Sequence, residues 1–231
     1  MAIIASNLQA VRAAMAAAAV LADRTADEVT LLAVSKTFPA TAVRSAFQAG
    51  QRRFAESYLQ EALDKIAALD DLGIEWHFIG PVQSNKTRPI AEHFCWVHSV
   101  DRLKIAERLS AQRPVSLPPL QCCLQVNISD EDSKSGVRPD EVSQLAHEIA
   151  RLPNLQLRGL MAVPAPTDDP LVQRAAFARL RELYLQLKSE GLPLDTLSMG
   201  MSHDFAAAIA EGATIVRIGS AIFGERNYSA R

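Results

Sequence analysis

Eight short apolar runs alternate along the chain with segments whose apolar residues keep helical spacing. The strand-like runs are 30–35, 52–56, 75–80, 94–98, 119–127, 155–162, 194–198 and 213–218. Such alternation favours a parallel sheet, because neighbouring parallel strands need a crossover long enough for a helix. Eight strand–helix units in 231 residues predict a closed (β/α)8 TIM barrel. An open, doubly wound α/β sheet is the alternative.

The segment before the first strand is rich in alanine and carries apolar residues at one-face helical spacing, including Ile4, Leu8, Val11 and Met15. Polar residues interrupt the apolar stretch, and no basic region precedes it. We therefore predict an additional N-terminal amphipathic helix rather than a signal peptide, and we expect no transmembrane span. No linker divides the chain, so we expect one domain over 1–231.

Charge and cysteine content limit the classes of function that the chain can have. The 24 basic and 26 acidic side chains give a net charge of -2, which provides no electrostatic case for binding nucleic acid or an anionic membrane. The three cysteines, Cys95, Cys122 and Cys123, are an odd number without CxxC spacing. We interpret them as reduced core residues of a cytoplasmic protein.

One lysine, Lys36, directly follows the first strand-like run. Ligands bind at the carboxyl ends of strands in parallel α/β folds, so this lysine is expected at the mouth of a pocket. A partly desolvated lysine amine can condense with an aldehyde to form a Schiff base. The alternative is a strand-end lysine that only reaches into water.

Two turns rich in glycine and serine follow the seventh and eighth strands. The first turn covers 198–204 and contains Ser202 at the expected start of a helix, and the second contains Arg217, Gly219 and Ser220. Free N–H groups at a helix start favour an anion, and barrels commonly hold phosphate after these two strands. The two turns together predict a phosphate site facing Lys36.

Other polar residues have weaker signals. The five histidines form no HExxH motif, and we assign no metal. The sequence contains no GxGxxG, P-loop or GxSxG motif. Glu56 and Glu61 flank the end of the second strand, where we interpret them as the solvated start of a helix.

Six segments carry a resemblance that covers nearly the whole chain. They are AVSKTFP at 33–39, WHFIGPVQSNK at 76–86, NISDEDSKSGV at 127–137, RGLMAVPAP at 158–166, SMGMSHDF at 198–205 and VRIGSAIFG at 216–224. Together they resemble the signatures of the pyridoxal-phosphate (PLP) homeostasis proteins, which are single-domain relatives of the alanine racemase barrel. The resemblance implies a fold-type III barrel that holds PLP on Lys36, has no established catalytic turnover and acts in vitamin B6 homeostasis.

By matching position, the resemblance implies that Ser202, Gly219 and Ser220 hold the phosphate and that Arg217 faces the pyridine nitrogen. It also implies a monomer whose ligand is PLP, with apo PLP enzymes as candidate recipients of the cofactor. Two further motif positions, Asn85 and Lys134, are expected near the barrel mouth without an assigned role.

The sequence departs from the family pattern at two positions. Ser57 stands where the family usually has an asparagine close to the cofactor, and His203 replaces a more common acidic residue beside the phosphate turn. The cofactor contact at Ser57 and the local charge at His203 are therefore expected to differ from the family pattern.

Three classes of function stay open. The first is a PLP carrier or regulator without turnover, and the second is a PLP enzyme such as an amino-acid racemase. The third is a cofactor-free Schiff-base aldolase, in which the lysine attacks the substrate itself. Racemases of this barrel place a second catalytic base on a C-terminal domain, and because the sequence stops at Arg231 we favour the first. Aldolases on this barrel mostly carry their lysine on later strands, by analogy of fold alone.

Overall fold

The computed structural model describes residues 2–129 and 135–225. The eight strands are β1 (Thr30–Val34), β2 (Arg53–Glu56), β3 (Glu75–Phe78), β4 (Trp96–Val100), β5 (Leu120–Gln125), β6 (Leu155–Met161), β7 (Thr196–Ser198) and β8 (Ile215–Ile218). The α-helices of the described residues are α1 (Ala2–Leu21), α2 (Ala40–Gln48), α3 (Leu59–Ala68), α4 (Thr87–His93), α5 (Leu103–Gln112), α6 (Val142–Ala150), α7 (Pro170–Ser189), α8 (Phe205–Ala210) and α9 (Ser220–Phe223).

The strands form a closed parallel barrel in the order β1 to β8. Closure is made by β8 against β1, where Leu32 is in register with Arg217 and Ala33 with Ile218. The predicted (β/α)8 barrel is therefore confirmed, and the open doubly wound sheet is not formed. Strand bounds differ by a few residues from the prediction: β4 begins at Trp96 rather than at position 94, and β7 has three residues.

The apolar core lies mainly between the strands and the surrounding helices. Its largest fully buried side chains include Phe54, Phe78, Phe94 and Phe177. The inside of the barrel holds a smaller apolar cluster that contains Leu32, Val34, Ala55 and Ile215. Polar side chains fill the rest of the interior, and they are described with the site below.

The N-terminal helix is present as predicted. Leu8, Val11 and Met15 are buried on one face of α1, which packs against α8 and α9. The Asn7 side chain donates a hydrogen bond to the Ile222 carbonyl at 3.0 Å, which links α1 to α9. By length and hydropathy alone, α1 could cross a membrane, so the expectation that no window approaches a transmembrane span is wrong by that criterion. In the structure 22% of that apolar window is buried, on the face that packs against the barrel.

The cysteines divide into two environments. Cys122 and Cys123 are buried on β5, as predicted, and burial raises the pKa of the Cys122 thiol to about 12. Cys95 is exposed, which corrects the expectation that all three lie in the core. Cys95 stands between the end of α4 and the start of β4, and its neighbours Phe94 and Trp96 take the buried positions.

Candidate functional site

The turn after β1 carries Lys36 at the carboxyl end of the barrel, as predicted. Ser35 still belongs to the barrel wall, because its N–H donates to the Ala55 carbonyl at 3.0 Å. Lys36 is half-buried, and Thr37 adopts a φ of 71°. A left-handed backbone is rare for a β-branched residue, so this turn is held in an unusual conformation.

A cavity of about 690 Å³ opens at this end of the barrel. The structure brings all five residues of the predicted site to its wall, namely Lys36, Ser202, Arg217, Gly219 and Ser220. Apolar side chains that the sequence analysis did not single out complete the wall, among them Val34, Ile79 and Met161. Cavities of this size accommodate a small organic ligand.

The turns after β7 and β8 meet at the cavity. The hydroxyls of Ser202 and Ser220 lie 3.3 Å apart, although 18 positions separate the two residues in sequence. Gly219 packs closely on β1, since a Cβ there would stand 3.0 Å from the Val34 carbonyl oxygen. The two predicted turns therefore present their hydroxyls at one place.

The position of Ser202 corrects one detail of the prediction. Helix α8 begins at Phe205, and Ser202 lies in the turn before it rather than at a helix start. The Asp204 carboxylate accepts a hydrogen bond from the Met201 N–H at 2.5 Å and so takes up one backbone donor of this turn. Gly200 has a φ of 93°, which a glycine adopts without strain. Ser220, in contrast, is the first residue of α9.

Arg217 points inward from β8 and is buried. Its Nη1 donates to the Ser198 carbonyl at 2.6 Å and to the Ser198 hydroxyl at 2.8 Å, and its Nη2 donates to the Ala162 carbonyl at 2.9 Å. Burial lowers the pKa of the guanidinium to about 10, which still leaves it charged at neutral pH. The site thus contains a fixed positive charge at the floor of the cavity.

The relatives identified by comparison with known proteins agree on one family. Residues 6–227 match the family described as alanine racemase, N-terminal domain. The pyridoxal phosphate homeostasis protein of Pseudomonas aeruginosa is 64% identical over 100% of this chain and 99% of its own, and that of Escherichia coli K12 is 54% identical over 98% of both. This chain belongs to the pyridoxal phosphate homeostasis protein family.

Solved structures agree with the family assignment. PipY of Synechococcus elongatus, in a structure with PLP bound, is 38% identical and superposes with a TM-score of 0.83 over 96% of this chain and 100% of its own. Alanine racemase of Corynebacterium glutamicum, at 17% identity, superposes with a TM-score of 0.72 over 99% of this chain and 63% of its own. The latter similarity concerns the fold alone.

Of the remaining positions that the sequence analysis named from the family pattern, some line the cavity and others do not. Ser57 and His203, the two departures from the family pattern, both line the cavity. Asn85 lies in a short 3-10 turn at Ser84–Lys86 and is not part of the cavity wall. Lys134 lies outside the described residues.

A chain of polar side chains runs from the cavity floor through the barrel interior. The Ser198 hydroxyl lies 2.7 Å from His98 Nδ1, His98 Nε2 lies 2.8 Å from His77 Nδ1, and His77 Nε2 lies 2.9 Å from Glu75 Oε1. With both imidazoles neutral, each hydrogen bond of this chain has one donor and one acceptor. Arg217 donates to the Ser198 hydroxyl, which donates to His98; His98 donates to His77, and His77 donates to the Glu75 carboxylate. In the sequence these histidines stand out only as possible metal ligands, and no sequence motif predicts the chain that they form.

Both buried histidines favour the neutral form. Burial lowers the pKa of His77, and burial together with the neighbouring His77 lowers the pKa of His98 well below its usual value. Protonation of either ring would also place a second donor against a group that already donates. The folded protein therefore resists protonation at this pair.

The free energy of unfolding is expected to fall as the pH drops from 7 to 5.5. Histidines in the unfolded chain titrate near pH 6.5, so below that pH the unfolded chain binds protons that His77 and His98 do not bind in the folded chain. The stability is thus present above pH 6.5 and is lost below it, by up to about 1.4 kcal/mol per pH unit for each histidine. Denaturant titrations at several pH values measure the slope.

A matched pair of variants isolates the cause of this slope. His98→Asn keeps a polar partner for Ser198 but cannot take up the proton, so it should flatten the slope. His93→Asn, at an exposed position, should leave the slope as it is. Equal slopes for His98→Asn and the unsubstituted chain would show that the buried pair is not responsible.

Glu56, at the end of β2, and Glu61, on α3, correct another prediction. Glu56 is fully buried rather than a solvated helix start, and burial raises the pKa of its carboxyl. Its Oε1 accepts hydrogen bonds from the Ser35 hydroxyl at 2.6 Å and from Lys65 Nζ at 2.8 Å. Glu61 lies on α3 with about a quarter of its side chain exposed, and it accepts from Lys65 Nζ at 2.6 Å. The glutamates therefore belong to an ionic cluster beside Lys36.

Proposed function

We propose that this chain binds PLP as a Schiff base on Lys36 and acts in intracellular PLP homeostasis without catalytic turnover. The proposal depends on one observation: a lysine, two hydroxyls 3.3 Å apart and a buried arginine meet around one cavity. The PLP-bound structure of PipY and the homeostasis proteins among the relatives support it. The three free cysteines suit the reducing cytoplasm, where we place this function.

The cavity residues fit the three chemical parts of PLP. Lys36 supplies an amine for the aldehyde, and the paired hydroxyls of Ser202 and Ser220 supply donors for the phosphate. Apolar side chains at Val34 and Met161 offer a wall for the flat ring. When bound, PLP would supply an aldehyde for reversible capture by the lysine and an aromatic ring able to withdraw electrons.

Arg217 bears on the question of catalysis. A guanidinium has no proton acceptor and disfavours a second positive charge beside it, so an arginine facing the pyridine nitrogen would keep that nitrogen unprotonated. An unprotonated ring withdraws electrons poorly, which weakens reactions that pass through a carbanion. Arg217 is held by Ser198 and Ala162 inside the barrel and cannot easily turn away. These properties favour a carrier or regulator over a racemase.

The proposal is tested with the purified PLP-loaded protein. It should hand PLP to an apo PLP enzyme, measured as recovery of that enzyme's activity. With alanine and several other amino acids it should show neither racemisation nor keto-acid production at enzymatic rates. Turnover of about 1–1000 per second would contradict the proposal and favour the racemase-like alternative.

A control without added PLP distinguishes the third class of function, the cofactor-free aldolase, from the two that bind PLP. The protein as purified, and after addition of PLP, should differ in absorbance, because bound PLP colours a protein and an unmodified lysine does not. If no PLP binds, the proposal fails and the cofactor-free aldolase becomes the better hypothesis.

A further inference from the structure

The backbone on both sides of Lys36 is held by one buried ionic cluster, formed by Glu56, Lys65 and Glu61. On the N-terminal side, Lys65 Nζ donates to the Ser35 carbonyl at 2.7 Å, and the Ser35 hydroxyl donates to Glu56. On the C-terminal side, the Thr37 N–H donates to Glu61 Oε1 at 2.6 Å. The same Glu61 oxygen accepts from Lys65, so the contacts on the two sides share one charged network.

The cluster connects three elements at the cavity rim. Glu56 ends β2, Glu61 and Lys65 stand one turn apart on α3, and Ser35 to Thr37 follow β1. Side-chain exposure is 0% for Glu56 and 6% for Lys65, so these groups are largely removed from water. Hydrogen bonds between charged groups in such surroundings are strong and directional. The turn that carries Lys36 is therefore fixed to β2 and α3.

Thr37 shows why this turn needs a fixed partner. Its φ of 71° lies in a region that β-branched residues rarely occupy, and an unconstrained turn would relax from it. The Glu61 carboxylate accepts the Thr37 N–H in this conformation. Relaxation of the turn would rotate the backbone directly beside Lys36 and redirect its side chain.

We propose that Glu56, Lys65 and Glu61 are positioning residues that hold the Lys36 turn so that its amine meets the aldehyde of PLP. The inference rests on the proposed function. In the reaction the neutral amine adds to the aldehyde carbon and a C–N bond forms. The carbonyl oxygen then leaves as water with the two amine protons, so no oxidant, reductant or further reactant is required. The cluster takes no proton in this reaction and acts through the backbone.

Glu61 offers the sharpest test, since it is the most exposed member of the cluster and its substitution disturbs the core least. We expect Glu61→Ala to slow the formation of the Schiff base and to weaken PLP binding, each by about tenfold. Binding of pyridoxamine 5′-phosphate should stay within about twofold, because it has the same ring and phosphate but no aldehyde. Absorbance follows the first reaction, and calorimetry measures both affinities.

Two further variants sharpen the interpretation. Glu61→Gln keeps an oxygen that can accept the Thr37 N–H, so it should restore much of the rate. Glu92→Ala removes a partly exposed carboxylate that pairs with Arg88 on α4, and it should change neither ligand's binding. A loss confined to PLP, rescued by glutamine and absent in the α4 control, supports a positioning role.

The outcomes also separate this inference from the proposed function. Equal losses for PLP and pyridoxamine 5′-phosphate in Glu61→Ala would indicate general damage to the site and overturn the positioning role. Unchanged PLP kinetics would overturn it as well. If the unsubstituted protein forms no Schiff base, the proposed function fails and this inference fails with it, whereas a defect seen only in the variants leaves the proposed function intact.

Discussion

Replacing Lys36 with alanine is expected to reduce covalent capture of PLP from near-stoichiometric to background. Lys36 is the lysine at the cavity wall, and no other lysine lines that wall among the residues that the structure describes. Borohydride reduction converts the Schiff base into a stable secondary amine, and peptide mapping then locates it. In the unsubstituted chain the phosphopyridoxyl group should be found on the peptide that contains Lys36.

Lys86→Ala is the matched control for this experiment. Lys86 is exposed beside α4 and belongs to a motif that the sequence shares with the family, yet it lies outside the cavity wall. Its replacement should leave the labelling of Lys36 unchanged. An adduct that persists in Lys36→Ala, or one found mainly on Lys86 or Lys134, would refute the assignment of Lys36.

The parts of the fold that the sequence predicts well are those set by local pattern. Alternation of strand-like and helical segments predicts parallel neighbours, because a crossover of helix length joins parallel strands, and the count of eight units favours the closed barrel over an open sheet. Local pattern placed the boundaries less well. The predicted fourth strand included Phe94, which is apolar because it packs against Phe78 outside the barrel at a ring distance of 5.3 Å. Apolar residues at a helix end and those in a strand look alike in sequence.

Barrel closure also explains why the five predicted site residues line one cavity. Each stands at or just after the carboxyl end of β1, β7 or β8, and in a parallel barrel all these ends open at the same face. The position in the strand–helix unit therefore fixes the place of a residue in the fold. The hydroxyls of Ser202 and Ser220 could be expected at one site on this ground alone.

Buried polar networks could not be predicted in the same way, because their partners come together only in the closed barrel. His98 on β4 meets Ser198 on β7 across the barrel interior, although 100 positions separate them in sequence. Glu61 and Lys65 have the spacing of an ordinary surface ion pair on a helix. One available signal was missed: Lys65 falls on the same face of α3 as the buried Ala62, where a lysine needs a buried partner.

Removing both hydroxyls of the proposed phosphate site, Ser202→Ala with Ser220→Ala, is expected to weaken PLP binding by about a hundredfold or more. Hydrogen bonds to a charged group contribute about 1.5–3 kcal/mol each, and two of them correspond to at least that factor. Ser202 is partly exposed and Ser220 is exposed at the cavity, so the folded barrel should tolerate alanine at both positions. Titration with PLP and with unphosphorylated pyridoxal measures the loss.

The comparison of the two ligands decides where the phosphate lies. Pyridoxal lacks the phosphate, so its affinity should be low in the unsubstituted chain and nearly unchanged in the double variant. Ser189→Ala, which removes an exposed hydroxyl at the end of α7, controls for the loss of a serine elsewhere. Equal affinities of the unsubstituted chain for PLP and pyridoxal would mean that the two turns do not bind phosphate. A double variant that still prefers PLP strongly would place the phosphate contacts on the backbone N–H groups of these turns instead.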